Sequence, residues 1–316
     1  MKTLHILDSS NYIYVGTYRN VKAIRGVREY DRMYVPNSAP VGGVTFMADS
    51  ILNIMTSEDN DIITVWDRKP EKKRQEYTEV LGIQKSYKGQ RKQNFDIFRQ
   101  KEFAEKIIRY CGVPCAALDM YEADDLIYSI WKRYYNEYDY IRIHTEDSDL
   151  AFMVDEKTEI YPVKRDGRYI NVGNYSSTVK KNVFIPYNLS ILTKVIKGDP
   201  SDNIPGLHEY KLWFACVNKV MSEMGFKREK MGDIEACREV LLNTIKQYPN
   251  LPDAHLALPI LKLVTPYVVS LDEQPDPASI VNKQLLGIVS GINKPTGNEM
   301  IENLLEEYLH EFNSNN

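Results

Sequence analysis

Nine carboxylates carry the chemistry open to this chain. Asp8 and Asp67 each close a short apolar run. Glu122, Asp124 and Asp125 stand together in Glu122-Ala123-Asp124-Asp125. Asp147 and Asp149 flank a serine, and Asp199 and Asp202 belong to Gly198-Asp199-Pro200-Ser201-Asp202-Asn203. Brought together by folding, so many like charges repel one another unless divalent cations lie between their oxygens. A set of hard oxygen donors of this size points to a two-metal site, and such sites suit in-line hydrolysis of a phosphodiester.

Taken singly, each group has an ordinary explanation. Asp147 and Asp149 are alternate residues after an extended run, so both carboxylates project to one side; Asp-x-Asp is also common in turns. Glu122, Asp124 and Asp125 fit a helix N-terminus, where carboxylates are favourable as caps. The combination, in this order along one chain, is what argues for a shared site.

Positioning them requires strands that end on acids. Residues 3–7 read as a buried strand leading into Asp8, and residues 62–66 as a second leading into Asp67. Residues 41–55 between them have apolar positions at helical spacing. The stretch 69–95 is polar, basic and punctuated by glycines, which reads as a mobile crossing element. A helix is expected over 96–110, a strand through Leu118 after Gly112-Val113-Pro114, a helix from Glu122 to about Tyr135, and a strand over 140–145. Strands alternating with helices predict a parallel α/β sheet with helices on both faces. In such sheets ligands bind beyond the carboxyl ends of the strands, where Asp8, Asp67 and Asp147 fall. After a β-like stretch around 159–172, the pattern is helical from about Leu189 onward.

The 316 residues, 43% hydrophobic and 27% charged, describe a soluble globular chain long enough for one large core and a smaller appended domain. Cys111, Cys115, Cys216 and Cys237 form no Cys-x-x-Cys pair, which fits buried thiols in a reducing compartment. No segment has the length of a signal peptide's apolar region or a membrane span, so a cytoplasmic location is expected. The net charge of −4 hides an uneven distribution. From Arg68 to Arg109 there are 13 Lys/Arg and 6 Asp/Glu, a local balance of +7. A basic stretch beside an acidic cavity suits a polyanionic substrate. The five histidines show no grouping for nucleophilic catalysis, and Gly42-Gly43 lacks the lysine and hydroxyl residue of a phosphate loop.

Six segments together resemble the 5′-nuclease (flap endonuclease, 5′→3′ exonuclease) family. They are Ile6-Leu7-Asp8, Val65-Trp66-Asp67, Tyr87-Lys88-Gly89-Gln90-Arg91, Glu122-Ala123-Asp124-Asp125, Thr145-Glu146-Asp147-Ser148-Asp149 and Gly198 to Gly206. The likeness is strongest to stand-alone phage members of the T-even-phage ribonuclease H type. It implies a PIN-like core over residues 1–188, with a basic arch at about 68–95. It also implies a mainly helical DNA-binding domain over 189–316 with a modified helix-hairpin-helix element. It implies two Mg²⁺ ions, replaceable by Mn²⁺, with Asp8, Asp67 and Asp124 at the first and Glu122 acting through water. Asp147 falls between the ions or near the first, Asp149, Asp199 and Asp202 fall at the second, and Asp125 orients its neighbours. Lys88 and Arg91 resemble a phosphate-steering pair, Tyr87 is placed to stack on a terminal base, and Lys72, Lys73 and Arg74 to line the arch.

The implied activity is 5′→3′ exonuclease, flap endonuclease and ribonuclease H cleavage of DNA and RNA–DNA duplexes with 5′ ends or flaps. The implied setting is primer removal in replication by a monomer in contact with a single-stranded-DNA-binding protein or replisome, in a host cytoplasm if phage-encoded. Two other readings stay open: a PIN-like endoribonuclease and a catalytically silent junction-binding protein. One departure stands out. Most relatives follow Ile-Pro-Gly with a Gly-Ile-Gly hairpin that offers backbone N–H groups to a phosphate or cation. This chain reads Leu207-His208-Glu209-Tyr210-Lys211, which leaves that duplex contact open.

Overall fold

The computed structural model describes residues 1–18, 21–24, 27–30, 39–82, 87–89, 95–163, 170–171, 190–225, 234–292 and 296–314. The first half runs β1 (Thr3–Asp8), α1 (Ser9–Tyr18), the hairpin β2 (Val21–Ile24) and β3 (Val27–Tyr30), α2 (Gly42–Ile54), β4 (Asn60–Trp66), α3 (Glu71–Leu81), α4 (Phe95–Tyr110), β5 (Cys115–Ala117) and α5 (Ala123–Tyr134). It continues with β6 (Tyr140–His144), a 3₁₀ turn (Ser148–Met153) and β7 (Thr158–Tyr161). Then come α6 (Ser190–Lys197), β8 (Gly198–Asp199), β9 (Ile204–Pro205), α7 (Tyr210–Glu223), α8 (Ile234–Gln247), α9 (Ala254–Val264), α10 (Lys283–Ser290) and α11 (Glu299–Ser314).

The central sheet has the order β5-β4-β1-β6-β7 with every pairing parallel. β1 lies in the middle, Ile6 standing between Ile63 of β4 and Ile143 of β6. Connections therefore leave β1 in opposite directions, and the crevice beyond its carboxyl end is where such a sheet holds a ligand. Both faces are covered, so the strands carry nearly continuous apolar residues. Alternate residues feed two cores. Leu4, Ile6, Ile63, Val65 and Ile143 pack with α5 to α9, whereas Leu7, Ile62 and Trp66 pack with α1, α2, α4, α10 and α11. At roughly 1.5–3 kcal/mol for each fully buried large aliphatic side chain, these two layers hold the sheet rigid beneath its loops.

One buried polar residue ties three helices together. The N-terminus of α2 has no side-chain cap from Val41. Gln100 of α4, fully buried, accepts from the N–H groups of Gly43 (2.6 Å) and Val44 (3.2 Å) and donates to Thr17 Oγ1 of α1 (3.0 Å). The N–H groups that a helix start leaves unpaired thus find a partner from another helix.

His5 and His144 pack inside the sheet layer, joined between His5 Nδ1 and His144 Nε2 at 2.8 Å, with Tyr12 Oη 3.0 Å from His144 Nδ1. Burial, then Arg142, pulls His5 down to about 4; burial, His5 and Arg142 hold His144 well below its usual value. The unfolded chain binds protons near pH 6.5 that the native chain refuses, so these residues contribute stability above pH 6.5 that is lost as pH falls toward 4. For His5 the expected loss is on the order of 3 kcal/mol. Urea unfolding at pH 7.5 and pH 5 should show a smaller pH penalty in His5→Asn than in the wild type; equal penalties would refute the assignment.

Two organisational expectations change. The segment expected as a polar crossing element contains a helix, α3, that buries Lys73, Glu76 and Tyr77; residues 83–86 and 90–94 lie outside the described residues. The helical C-terminal part is divided between the two cores, with α7 to α9 on one face and α10 and α11 on the other. All four cysteines are buried and free of disulfides. No helix among the described residues is long and apolar enough to cross a membrane.

Candidate active site

Asp8 is the last residue of β1 and almost fully buried. It accepts from Thr145 Oγ1 (2.9 Å), from the Asn11 side chain and from the Asn11 N–H (3.3 Å). Burial, then the charge of Asp67, nevertheless pushes its carboxyl up to about 6. Asp67, directly after β4, accepts from Ser10 Oγ (2.6 Å) and the Ala123 N–H (2.8 Å), with Lys101 Nζ at 3.6 Å. Burial works to raise it, but Lys101, Ser10 and Ala123 together hold it below its usual value.

α5 starts just beyond the end of β5 and delivers the next group. Glu122 accepts from Tyr87 Oη (2.9 Å) and from Lys88 Nζ. Asp124 is raised well above its ordinary value by burial and by Asp147, with Glu122 and Asp8 adding to the effect and Lys88 opposing it. Four elements therefore aim carboxylates at one region. Asp125 turns the other way. Its oxygens accept from the Glu122 N–H (3.0 Å) and the Tyr267 N–H (2.7 Å), so it fixes the start of α5 against the C-terminal segment. Asp125→Ala leaves both donors without a partner and is expected to cost about 2–4 kcal/mol in urea unfolding. An unchanged midpoint would show that Asp125 holds nothing in place.

Asp147 caps the 3₁₀ turn, accepting from the Asp149 N–H (2.8 Å). Asp149 and Asp199 share Lys194 of α6, which lies 2.8 Å from Asp199. Burial and Asp147 raise Asp149, whereas Asp199 ends below its ordinary value because Lys194 and Ser201 outweigh burial. The 198–206 turn that carries Asp199 and Asp202 is unusually tight. Gly198 has φ +79°, and a Cβ there would sit 2.4 Å from Gly206 N. Asp202 accepts from Tyr87 Oη (3.1 Å) and lies 3.8 Å from Lys88 Nζ.

All of these donors are oxygens, the chemistry of Mg²⁺ or Mn²⁺ sites. Among the described residues no three of them converge into a ready-made metal cage. Lys88, Lys101, Lys194 and Asn11 hold several of them instead. Mg²⁺ keeps most of its water and takes few direct carboxylates, so a cluster of self-repelling carboxylates without a closed cage fits such an ion.

Several sequence expectations are corrected by burial. Tyr87 has 3% exposure and spends its hydroxyl on Glu122 and Asp202, so it presents no face for stacking on a base. Lys73 is buried over the Tyr267 ring at 5.6 Å and does not line an arch surface. Lys72 is partly exposed and Arg74 exposed, while Arg91 lies outside the described residues. The departure after Gly206 also acquires a structural meaning. The Leu207 N–H donates to Ile196 O (3.0 Å) and the His208 N–H to Asp253 (2.9 Å), so neither is available to a phosphate. Sequence reasoning did not anticipate Ser10, Asn11, Lys101, Thr145, Lys194 or Tyr267. Only Thr145, adjoining the Asp147 motif, carried a local signal.

The sequence pattern of a family described as 5′-3′ exonuclease, N-terminal resolvase-like domain, matches residues 3–182. A 5′-3′ exonuclease of Aquifex aeolicus is 24% identical over 209 residues, covering 66% of this chain and 65% of its own length. A thermostable DNA polymerase I of Thermus filiformis is 24% identical over 234 residues, covering 74% of this chain and 26% of its own. The chain thus spans less than two thirds of either relative. Among solved structures, the D15 flap endonuclease of bacteriophage T5, in a pseudo-enzyme-product complex with DNA and metal ions, superposes with a TM-score of 0.54. It has 15% identity and covers 98% of both chains, which shows the fold.

Proposed function

The chain belongs to the 5′-3′ exonuclease family, and from that premise we propose that it is a divalent-metal-dependent, structure-selective 5′-nuclease. It hydrolyses phosphodiesters at 5′ ends or flaps of DNA and of RNA on DNA, including ribonuclease H cleavage of primers. The observation that carries this reading is the mutual perturbation of carboxylates from separate elements, with Asp124 raised by Asp147, Glu122 and Asp8. A protein that only bound nucleic acid would gain nothing by holding such negative charge where phosphates must approach.

Asp8, Asp67, Asp124 and, through water, Glu122 would hold the first ion, with Asp147 near it; Asp149, Asp199 and Asp202 would hold the second. Bound divalent cations supply an activated water and neutralise charge on the reacting phosphate. The chain's own residues do the rest. Asn11 and Thr145 orient Asp8, Ser10 and the Ala123 N–H orient Asp67, and Lys194 keeps Asp149 and Asp199 together. Lys88, held by Glu122 and Asp202, supplies a preorganised cation beside the reacting phosphate, with Arg91 as its partner. The segment from 189 onward, with its Gly198–Gly206 turn, would contact duplex.

The test uses the purified chain with a 5′-labelled flap and a 5′-labelled RNA–DNA hybrid, in Mg²⁺, Mn²⁺ or EDTA, with Asp147→Ala as control. Short 5′ products that need both a cation and Asp147 are expected. Tight binding without cleavage in any cation would overturn the nuclease reading in favour of a junction binder.

A further inference from the structure

A cavity of about 870 Å³ is lined by α4 and by the loops that follow β4 and β5, with Asp67 among its lining residues. Trp66, Pro70, Phe98 and Met120 are its apolar lining residues, and Asp67 and Lys101 are among its charged ones. Two of these residues are unusual. Phe98 is 55% exposed and Met120 40% exposed, although both are large and apolar. Met120 also has φ +74°, a backbone conformation that an unbranched non-glycine residue rarely adopts, and its carbonyl is pinned by the Lys72 N–H at 3.2 Å. Backbone held in this way beside an acidic centre is typical of built sites.

The charges around the cavity decide what would enter it. Arg68 lies 2.8 Å from Glu105 and Arg109 3.1 Å from the same carboxylate; Lys106 lies 2.9 Å from Glu307, and Lys101 pairs with Asp67. Four of the five lining cations are engaged in this way, Lys69 being the exception, and the lining holds as many acids as bases, so the cavity offers little net charge to a phosphate. What it offers is an aromatic face, apolar walls and polar edges, in a volume within the range of ligand sites. That combination suits a flat heteroaromatic ring.

We propose that this cavity is a subsite for one unpaired nucleobase of the strand being cut, stacked on Phe98 and flanked by Met120. The inference rests on the nuclease reading and specifies it. With its base held here, the adjoining phosphate of a single strand is drawn toward Asp67. A fully paired base cannot turn into the cavity, so occupation requires local unpairing. The subsite thereby selects strands whose 5′ end is frayed or displaced.

Two measurements test this with the full chain. In the first, kcat/KM is measured on flap substrates carrying a single abasic position walked through the three nucleotides on either side of the cut. Wild type should lose about 10- to 100-fold at one position. Phe98→Ala should lose a similar factor on the intact substrate and lose nothing further at that position, and Phe98→Trp should recover most of the rate. Phe98→Ala cutting at the wild-type rate, or adding its loss to that of every abasic position, would overturn the proposal. In the second, 2-aminopurine replaces the same base and its fluorescence is followed in EDTA. The change on binding should be present in wild type and absent in Phe98→Ala. A fluorescence change dependent on Phe98 with no cleavage in any cation would sink the nuclease reading and keep the subsite; cleavage with neither effect at Phe98 would do the reverse.

Discussion

Asp124→Asn is expected to lower the cleavage rate by about 10³-fold or more and, in EDTA, to raise the melting temperature. The first effect follows from the several kcal/mol that a divalent cation contributes to charge stabilisation, at 1.36 kcal/mol for each factor of ten. The second follows from the direction of the Asp124 shift. Burial and Asp147 raise the carboxyl, Glu122 and Asp8 add to them, and Lys88 opposes without prevailing. A carboxyl raised on folding contributes stability below its unfolded value that is lost as pH rises through its folded value, so at neutral pH its charge is a net cost. The amide keeps the shape and removes that cost. Lys88 loses one attractive neighbour in the exchange, but retains Glu122 and Asp202. Single-turnover cleavage and thermal melts with and without Mg²⁺ check both halves. A variant that cuts within tenfold of wild type, or that melts below it in EDTA, would show that Asp124 is not part of a self-repelling cation site.

The parts of this molecule that were legible in the sequence are those whose signal is local. Strands buried on both faces read as apolar runs, so β1, β4 and β6 were expected where they occur, and each precedes its acid because parallel strands end in the site. The Gly198–Gly206 turn was legible because its backbone needs a glycine at positive φ and a close approach at both ends. What was not legible depends on residues far apart in the chain. α3 looked like solvent-exposed polar sequence because nothing near it reveals that Tyr267 and Lys262 reach Glu76. Tyr87 looked available to a base because its two carboxylate partners lie 35 and 115 residues away. Lys101 and Lys194 belong to amphipathic helices, and periodicity says which face is buried without saying which acid a lysine at its margin will meet. For the same reason α10 and α11 carried no indication that they return to the face formed by α2 and α4.

A cation that the sequence did single out, Lys88, sets the second large effect. The Lys88 ammonium lies between Glu122 and Asp202, only 17% exposed, and the Lys88 backbone N–H donates to the Asp202 carbonyl at 3.3 Å. Burial works to lower its pKa, but Glu122, Asp202 and Asp124 raise it, so it stays charged throughout the working range. It thus occupies, with a single positive charge, carboxylates that a divalent cation would also claim. Lys88→Met should therefore pull three observables in different directions. Metal-free stability should fall by roughly 3 kcal/mol, because two largely buried carboxylates lose their counter-charge. Divalent-cation affinity, measured by calorimetry, should rise, because the competing ammonium is gone. The rate at saturating Mg²⁺ should still drop by about 10²- to 10³-fold, because the scissile phosphate loses a preorganised cation that no additional Mg²⁺ replaces. A lysine that merely held the turn in place would lose stability and metal affinity together, and excess cation would restore its rate. Weaker stability with tighter metal binding and unrescued cleavage is the pattern that a phosphate-facing Lys88 requires.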